Sequence, residues 1–367
     1  MKRWMPLGML ALLIIFAGPS AYACPLCLGG IRLAPGQQLD VADQAVIAAP
    51  SAGGTRWRIL EVVKGTAVAG KFIIGPVDGA DKTAMRSGKP SLLLRYEQLP
   101  TWSSVGTIGV KYAGWLRQLA ATGPAADRSN VDWRNRVALV SPYLENPEAL
   151  VADIAYGEIA RASYGALRSL KLRLNAATIA RWLDDSRLAA TRPSYTLLLG
   201  ITGGPQDAER LEQRLEAAWA SRDATNLGAM LAADLELRGP SRVAWIETMY
   251  LTDRRRTMPE IAAAVRALSE HGDEDGAVPR ARVIQAYMVL IRDRKPLASL
   301  VATHLAEWEY WDAVGEFVAL LRSDVQLDPA SRAAIVTYLE RCPRPEAKAA
   351  LASLPGTAVG SPAPGSQ

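Results

Sequence analysis

The chain has 367 residues and three cysteines, with 42 Lys and Arg against 37 Asp and Glu, for a formal net charge of +5. A chain of that length builds its own apolar core, which excludes a disulfide-rich scaffold. The basic excess is small and dispersed, which argues against a nucleic-acid footprint built on a dense cationic stripe.

Residues 1–23 read as a secretory signal. Lys2 and Arg3 form a basic start, Met5 to Gly18 an apolar stretch, and Ala21-Tyr22-Ala23 a small-x-small cleavage site. The apolar stretch is shorter than the roughly 20 residues a spanning helix needs. Cleavage removes Lys2 and Arg3 and lowers the charge from +5 to +3. The protein is therefore expected to be exported, periplasmic or secreted, with no membrane span in the mature chain. Cys24 would follow the cut directly. Its acylation is the lesser alternative, because Ala21 stands where lipoprotein signals place Leu.

Residues 28–110 have period two and many glycines. Gln44 to Ala49, Thr55 to Val63, Lys71 to Ile74 and Ser91 to Tyr96 read as strands, and Gly106-Thr107-Ile108-Gly109 as a short fifth. Trp57, Ile59 and Val63 are expected on one face, with Arg56 and Arg58 on the other. From Lys111 the period becomes helical, as in Ile261, Val265, Leu268 and in Val283, Tyr287, Leu290. Prolines stand at or near many helix starts (Pro147, Pro205, Pro240, Pro259, Pro279, Pro296, Pro329, Pro345), where their missing N–H costs little. Thr257 and Glu260 have capping-box spacing, Asp328 precedes Pro329, and Gly203-Gly204 and Gly272 suit helix stops. The fold class expected is multidomain α+β. A signal peptide (1–23) is followed by a small antiparallel β barrel or sandwich (24–110). An all-α domain of about a dozen helices (111–354) follows, expected as a HEAT-like solenoid of helix pairs with a compact bundle as the alternative, then a disordered tail (355–367).

Two resemblances add to this reading. Leu39 to Val46, Trp57 to Gly65, Gly70 to Ile73 and Ser91 to Leu94 resemble netrin-like modules, which are similar to tissue inhibitors of metalloproteases and have an OB-like barrel. That resemblance implies an OB-like module and a protease-inhibitor role for a mature N-terminal Cys24. This chain departs from the pattern with Cys-Pro-Leu-Cys in place of Cys-x-Cys and no further cysteines nearby. Cys24 to Cys27, Leu150 to Ala160, Ala180 to Asp185 and Trp308 to Trp311 also resemble uncharacterised secreted bacterial proteins. Those pair such a β-module with HEAT-like helical repeats, and the resemblance implies no activity.

Few constellations carry chemistry. Cys24 and Cys27 have the spacing of a local disulfide, a thiol-redox pair or half a metal site. The redox reading wants a strand before the pair and a helix after it, and the zinc reading wants a second ligand pair. Trp308, Glu309 and Trp311 form the densest aromatic and acidic cluster, suited to a binding groove or to a helix corner. Asp153 and Tyr156 share a helix face near Glu158 and Arg161, in a group that suits inter-helix hydrogen bonding. His271 and His304 are the only histidines and are expected at the surface; His304 and Glu307 share a face. Cys342 is expected to be a semi-buried free thiol. Gly200 to Gly204 lacks the preceding strand and the following Lys of a phosphate loop. No catalytic set, cofactor or metal is expected, and no nucleic-acid partner. The function these features support is a non-enzymatic scaffold for a protein or peptide. The alternatives are thiol or metal handling at Cys24 and Cys27, and protease inhibition through Cys24.

Overall fold

The computed structural model of the protein describes residues 33–51, 56–75, 88–123, 130–273 and 276–353. The leader, Cys24, Cys27 and the C-terminal tail lie outside the described residues. The layout is α+β: one curled antiparallel sheet forming half a barrel, and many helices. Among the described residues no helix is long and apolar enough to cross a membrane.

A short helix, α1 (Pro35–Val41), precedes the sheet and was not expected from the sequence. Pro35 opens it, and Gln37 Oε1 accepts a hydrogen bond from the Ala34 N–H at 2.9 Å. Five strands follow: β1 (Gln44–Pro50), β2 (Arg56–Lys64), β3 (Phe72–Ile74), β4 (Ser91–Tyr96) and β5 (Leu99–Thr107), in the order β3-β2-β1-β4-β5. The fifth strand starts well before the glycines expected to carry it. It pairs with β4 from Tyr96↔Leu99 to Ser91↔Thr107.

The sheet is buried on both faces at β1 and β4, while one side of the β2–β3 edge is exposed. Ala45, Ile47, Leu92 and Leu94 join the large core beneath the helices. Val46, Ala48, Leu93, Trp57, Ile59 and Trp102 fill the hollow of the curl. Two bulges in β2 correct the expected face assignment. Val46 pairs with Val62 and Ala45 with Lys64, leaving Val63 extra; Ile47 pairs with Glu61 and Ala48 with Ile59, leaving Leu60 extra. Each extra residue shifts the alternation by one. Val62 therefore leans on the Trp57 and Ile59 face, while Val63 joins the helix side.

The helices are α2 (Ala113–Ala121), α3 (Asn130–Val140), α4 (Ala149–Arg161), α5 (Tyr164–Arg168), α6 (Ala176–Asp184), α7 (Arg192–Thr202), α8 (Pro205–Ser221), α9 (Leu227–Arg238), α10 (Arg242–Ile246), α11 (Met258–Gly272), α12 (Arg280–Asp293), α13 (Ser299–Glu307), α14 (Val314–Arg322), α15 (Pro329–Arg341) and α16 (Pro345–Ala352). The punctuation read from the sequence stands where it was expected. Glu260 accepts from the Thr257 N–H at 2.7 Å, and Asp328 accepts from the Ser331 N–H at 3.0 Å. Ile261, Val265, Leu268, Val283, Tyr287 and Leu290 are all buried. The helices α3, α5, α7, α9, α11, α13 and α15 form a row, each touching the next, and most of the others lie beside a member of it. Arg256 is buried against the Trp219 ring and paired with Glu260 at 2.8 Å.

One apolar core runs from Leu39 in α1 through the sheet to Ala347 in α16. A buried charge cluster sits where sheet and helices meet. Arg136 of α3 gives two hydrogen bonds to Asp40 of α1 (3.0 and 3.1 Å), one to Glu158 of α4, one to the Leu119 carbonyl of α2 (2.9 Å) and one to the Thr122 hydroxyl. Arg161 also pairs with Glu158 and lies 3.8 Å from Asp40. Two arginines and two carboxylates are thus neutralised out of water. Burial opposes the charge on Glu158, but the hydrogen bonds and charges of Arg136 and Arg161 outweigh it and hold its carboxyl below the usual range.

Candidate functional site

Two adjoining cavities are lined by residues of α3, α5, α7, α8 and α9 and the turns beside them. The first, about 360 Å³, is lined by Arg134, Gly165, Arg168, Ser169, Lys171 and Glu236. The second, about 470 Å³, takes in Lys171, Gly203, Gly204, Glu209, Glu236 and Arg238. Lys171 and Glu236 line both, so the two form one groove.

Local structure sets these side chains. Helix α5 is only five residues long, capped by Ser163, whose hydroxyl accepts from the Ala166 N–H, and it ends in turns that carry Lys171 to the surface. Arg168 and Arg238 stand at the ends of α5 and α9, where cations offset the helix dipoles. Gly203 ends α7 and Gly204 caps α8, with Asp207 accepting from the Gly204 N–H at 3.0 Å. A side chain at Gly203 would strike the Leu199 carbonyl at 2.6 Å, so only glycine fits that helix end.

Glu236 forms the floor. It is nearly buried, accepts from Arg168 Nε at 3.1 Å and from the Tyr164 hydroxyl at 3.2 Å. Behind it lies His271, fully buried rather than at the surface as expected, because α11 runs on through Gly272 and carries the ring against Tyr164. His271 Nε2 lies 2.7 Å from the Ala232 carbonyl, which only accepts, so the proton is on Nε2 and Nδ1 accepts from the Ala277 N–H at 3.3 Å. Burial pushes the imidazole down to about 4, so it is neutral and its 4.0 Å approach to Glu236 is no ion pair. Arg238 is held by Glu212 at 2.7 Å and Asp234 at 3.0 Å. Lys171 is exposed at the junction of the cavities. The groove therefore has a floor neutralised by the Arg168–Glu236 pair, with Arg134 and Lys171 at its rim and Glu209 on the second cavity.

The residues singled out in the sequence lie elsewhere. Trp308 stacks on Tyr287 (centroids 5.7 Å apart, planes at 4°) and its Nε1 donates to Asp273 at 2.9 Å. Trp311 turns the other way, onto Tyr338 at 5.3 Å, and Glu309 between them is exposed with a left-handed backbone (φ 53°). The two tryptophans serve different helices and do not share a groove wall. Asp153 is exposed and partial burial raises its carboxyl, while the half-buried Tyr156 reaches the Ala190 carbonyl at 3.5 Å. It is their neighbours Glu158 and Arg161 that bond between helices. Cys24 and Cys27 lie outside the described residues. Cys342 is a buried free thiol. His304 lies 3.6 Å from Glu307, and among the described residues no three potential ligands gather for a metal.

The groove was missed in the sequence because its cations come from separate segments with no shared period. The one usable signal was Gly200 to Gly204, rejected as a phosphate loop but present in the second cavity's wall. Comparison with protein-family models, curated proteins and solved structures finds no significant match.

Proposed function

We propose that the chain is a non-enzymatic, exported scaffold that binds an acidic segment of a protein or peptide. The observation that carries this reading is the pair of cavities, about 360 and 470 Å³, that share the exposed Lys171. A partner carboxylate would meet the exposed Lys171, while Arg168 and Glu236 below it already satisfy each other. The row of alternate helices supports a HEAT-like repeat, and the half-barrel sheet supports an OB-like or netrin-like module ahead of it. Both remain readings of architecture, and the function rests on the groove.

Fluorescence polarisation with labelled oligoglutamate and oligolysine peptides tests it. The acidic peptide should bind at low salt and weaken as salt rises. Lys171→Glu should reduce its affinity roughly tenfold or more. Equal binding of both peptides, or an unaltered affinity in the variant, sinks the proposal. Cys24→Ser with Cys27→Ser should leave the affinity unchanged; loss of binding together with bound metal or thiol exchange would favour the redox or metal alternative.

A further inference from the structure

The outer face of the β2–β3 ribbon departs from an ordinary mixed-charge surface. β3 is a three-residue edge strand, paired so that Arg58 lies opposite Phe72, Trp57 opposite Ile73 and Arg56 opposite Ile74. Ile73 packs inward with Trp57 and Ile59, which fixes the ribbon from beneath. Phe72 and Ile74 consequently point outward beside Arg58 and Arg56, and they stay 56% and 80% exposed. Val68, in the turn between the strands, is 59% exposed, and Lys71 beside it is exposed too. The described residues include nine large exposed hydrophobics, and three of them crowd this ribbon. The ribbon's acid, Glu61, is already paired with Arg117 at 3.1 Å. Arg56, Arg58 and Lys71 form no ion pair among the described residues.

We propose that this ribbon docks the protein on an anionic lipid surface. Cations and apolar side chains alternate along one strand pair, so both chemistries are presented together. A lipid headgroup boundary offers the matching layers, with phosphates above and acyl carbons below. Phe72, Ile74 and Val68 would enter the acyl layer, and the long stems of Arg56, Arg58 and Lys71 would let their charged ends reach the phosphates. An acidic protein would answer the cations but leave the apolar half of the pattern unused. The inference is independent of the groove, whose residues it does not involve.

Partition of the full chain onto vesicles of mixed phosphatidylglycerol and phosphatidylcholine, against phosphatidylcholine alone, tests it. Binding should require the anionic lipid and weaken with salt. Phe72→Ser with Ile74→Ser should lower partition roughly tenfold or more. Arg56→Gln with Arg58→Gln should lower it by about as much. A photo-crosslinking side chain in place of Ile74 should capture phospholipid. One in place of Leu172, which is 97% exposed on the helical part, should not. The crosslinking arm reads the ribbon directly, whatever residues 1–23 contribute and however the variants fold. No lipid captured at position 74, or variants that partition like the wild type, overturns the proposal. Crosslinks between chains at position 74, formed equally without vesicles, would assign the ribbon to a second copy and overturn it as well.

Discussion

Arg136 has five N–H donors and meets five acceptors: Asp40 twice, Glu158, the Leu119 carbonyl and the Thr122 hydroxyl. Such a group is costly to bury and far costlier to disturb, because removing one partner leaves an uncompensated charge out of water. Glu158→Gln should therefore destabilise the protein by about 3–5 kcal/mol, measured by urea denaturation at neutral pH. The same carboxyl sets a pH dependence. Its folded value lies below its ordinary 4.5, so its contribution is full above about pH 4.5 and is lost as pH falls further. Glu270 has the opposite sign. Burial and the neighbouring Asp273 push it up to about 8, so the folded protein holds a proton there that the unfolded chain has released. Between its ordinary 4.5 and about 8, stability should fall as pH rises. Glu270→Gln should remove that decline from thermal melts recorded between those limits. At this scale the sequence marked Glu158 and Arg161 as a polar group on an Ala-rich helix. It gave no sign of Asp40 or Arg136, because residues 96 apart meet only after folding.

Elements were more legible than their contacts. Capping boxes, helix-start prolines and glycine stops act within a few residues, and Thr257, Asp328 and Gly203 do what their spacing implies. The bulges in β2 were not legible, since they arise from the pairing with β1 rather than from β2 itself. Nor was α1, whose seven residues become helical against partners far along the chain. It fits through glycine: a side chain at Gly36 would overlap the Glu158 carboxylate, and one at Gly157 would crowd Ala34 at 2.9 Å. A close helix crossing has the same origin. Gly200 of α7 lies against Ala233 of α9, whose Cα would be 2.6 Å from an added Cβ. Backbone cannot yield there as a flexible side chain would. Gly200→Ala should cost about 1–3 kcal/mol in urea denaturation, despite the better helix propensity of alanine. An unchanged midpoint would mean that the two helices separate more readily than their packing implies.

Over the whole molecule, the change of structure class near residue 110 does not divide the core. The last strand ends at Thr107 and the next helical turn begins at Val110, yet one apolar cluster continues across that point and Arg136 ties both sides together. Sheet and helices should consequently unfold in a single calorimetric transition, with strand and helix signals lost together. Two separated transitions would show that the shared core is only a weak interface. The sequence by itself determined the α+β class, four of the five strands and the helix starts at Thr257 and Asp328, because each follows from neighbours close in the chain. The tertiary structure alone decided which face Val63 takes, that His271 is buried, that Trp308 and Trp311 part company, and that Lys171 stands over Glu236. Those outcomes depend on packing between distant segments, whose register and depth no local period encodes. The groove and the exposed ribbon belong to that second kind, since both are surfaces made by elements brought together.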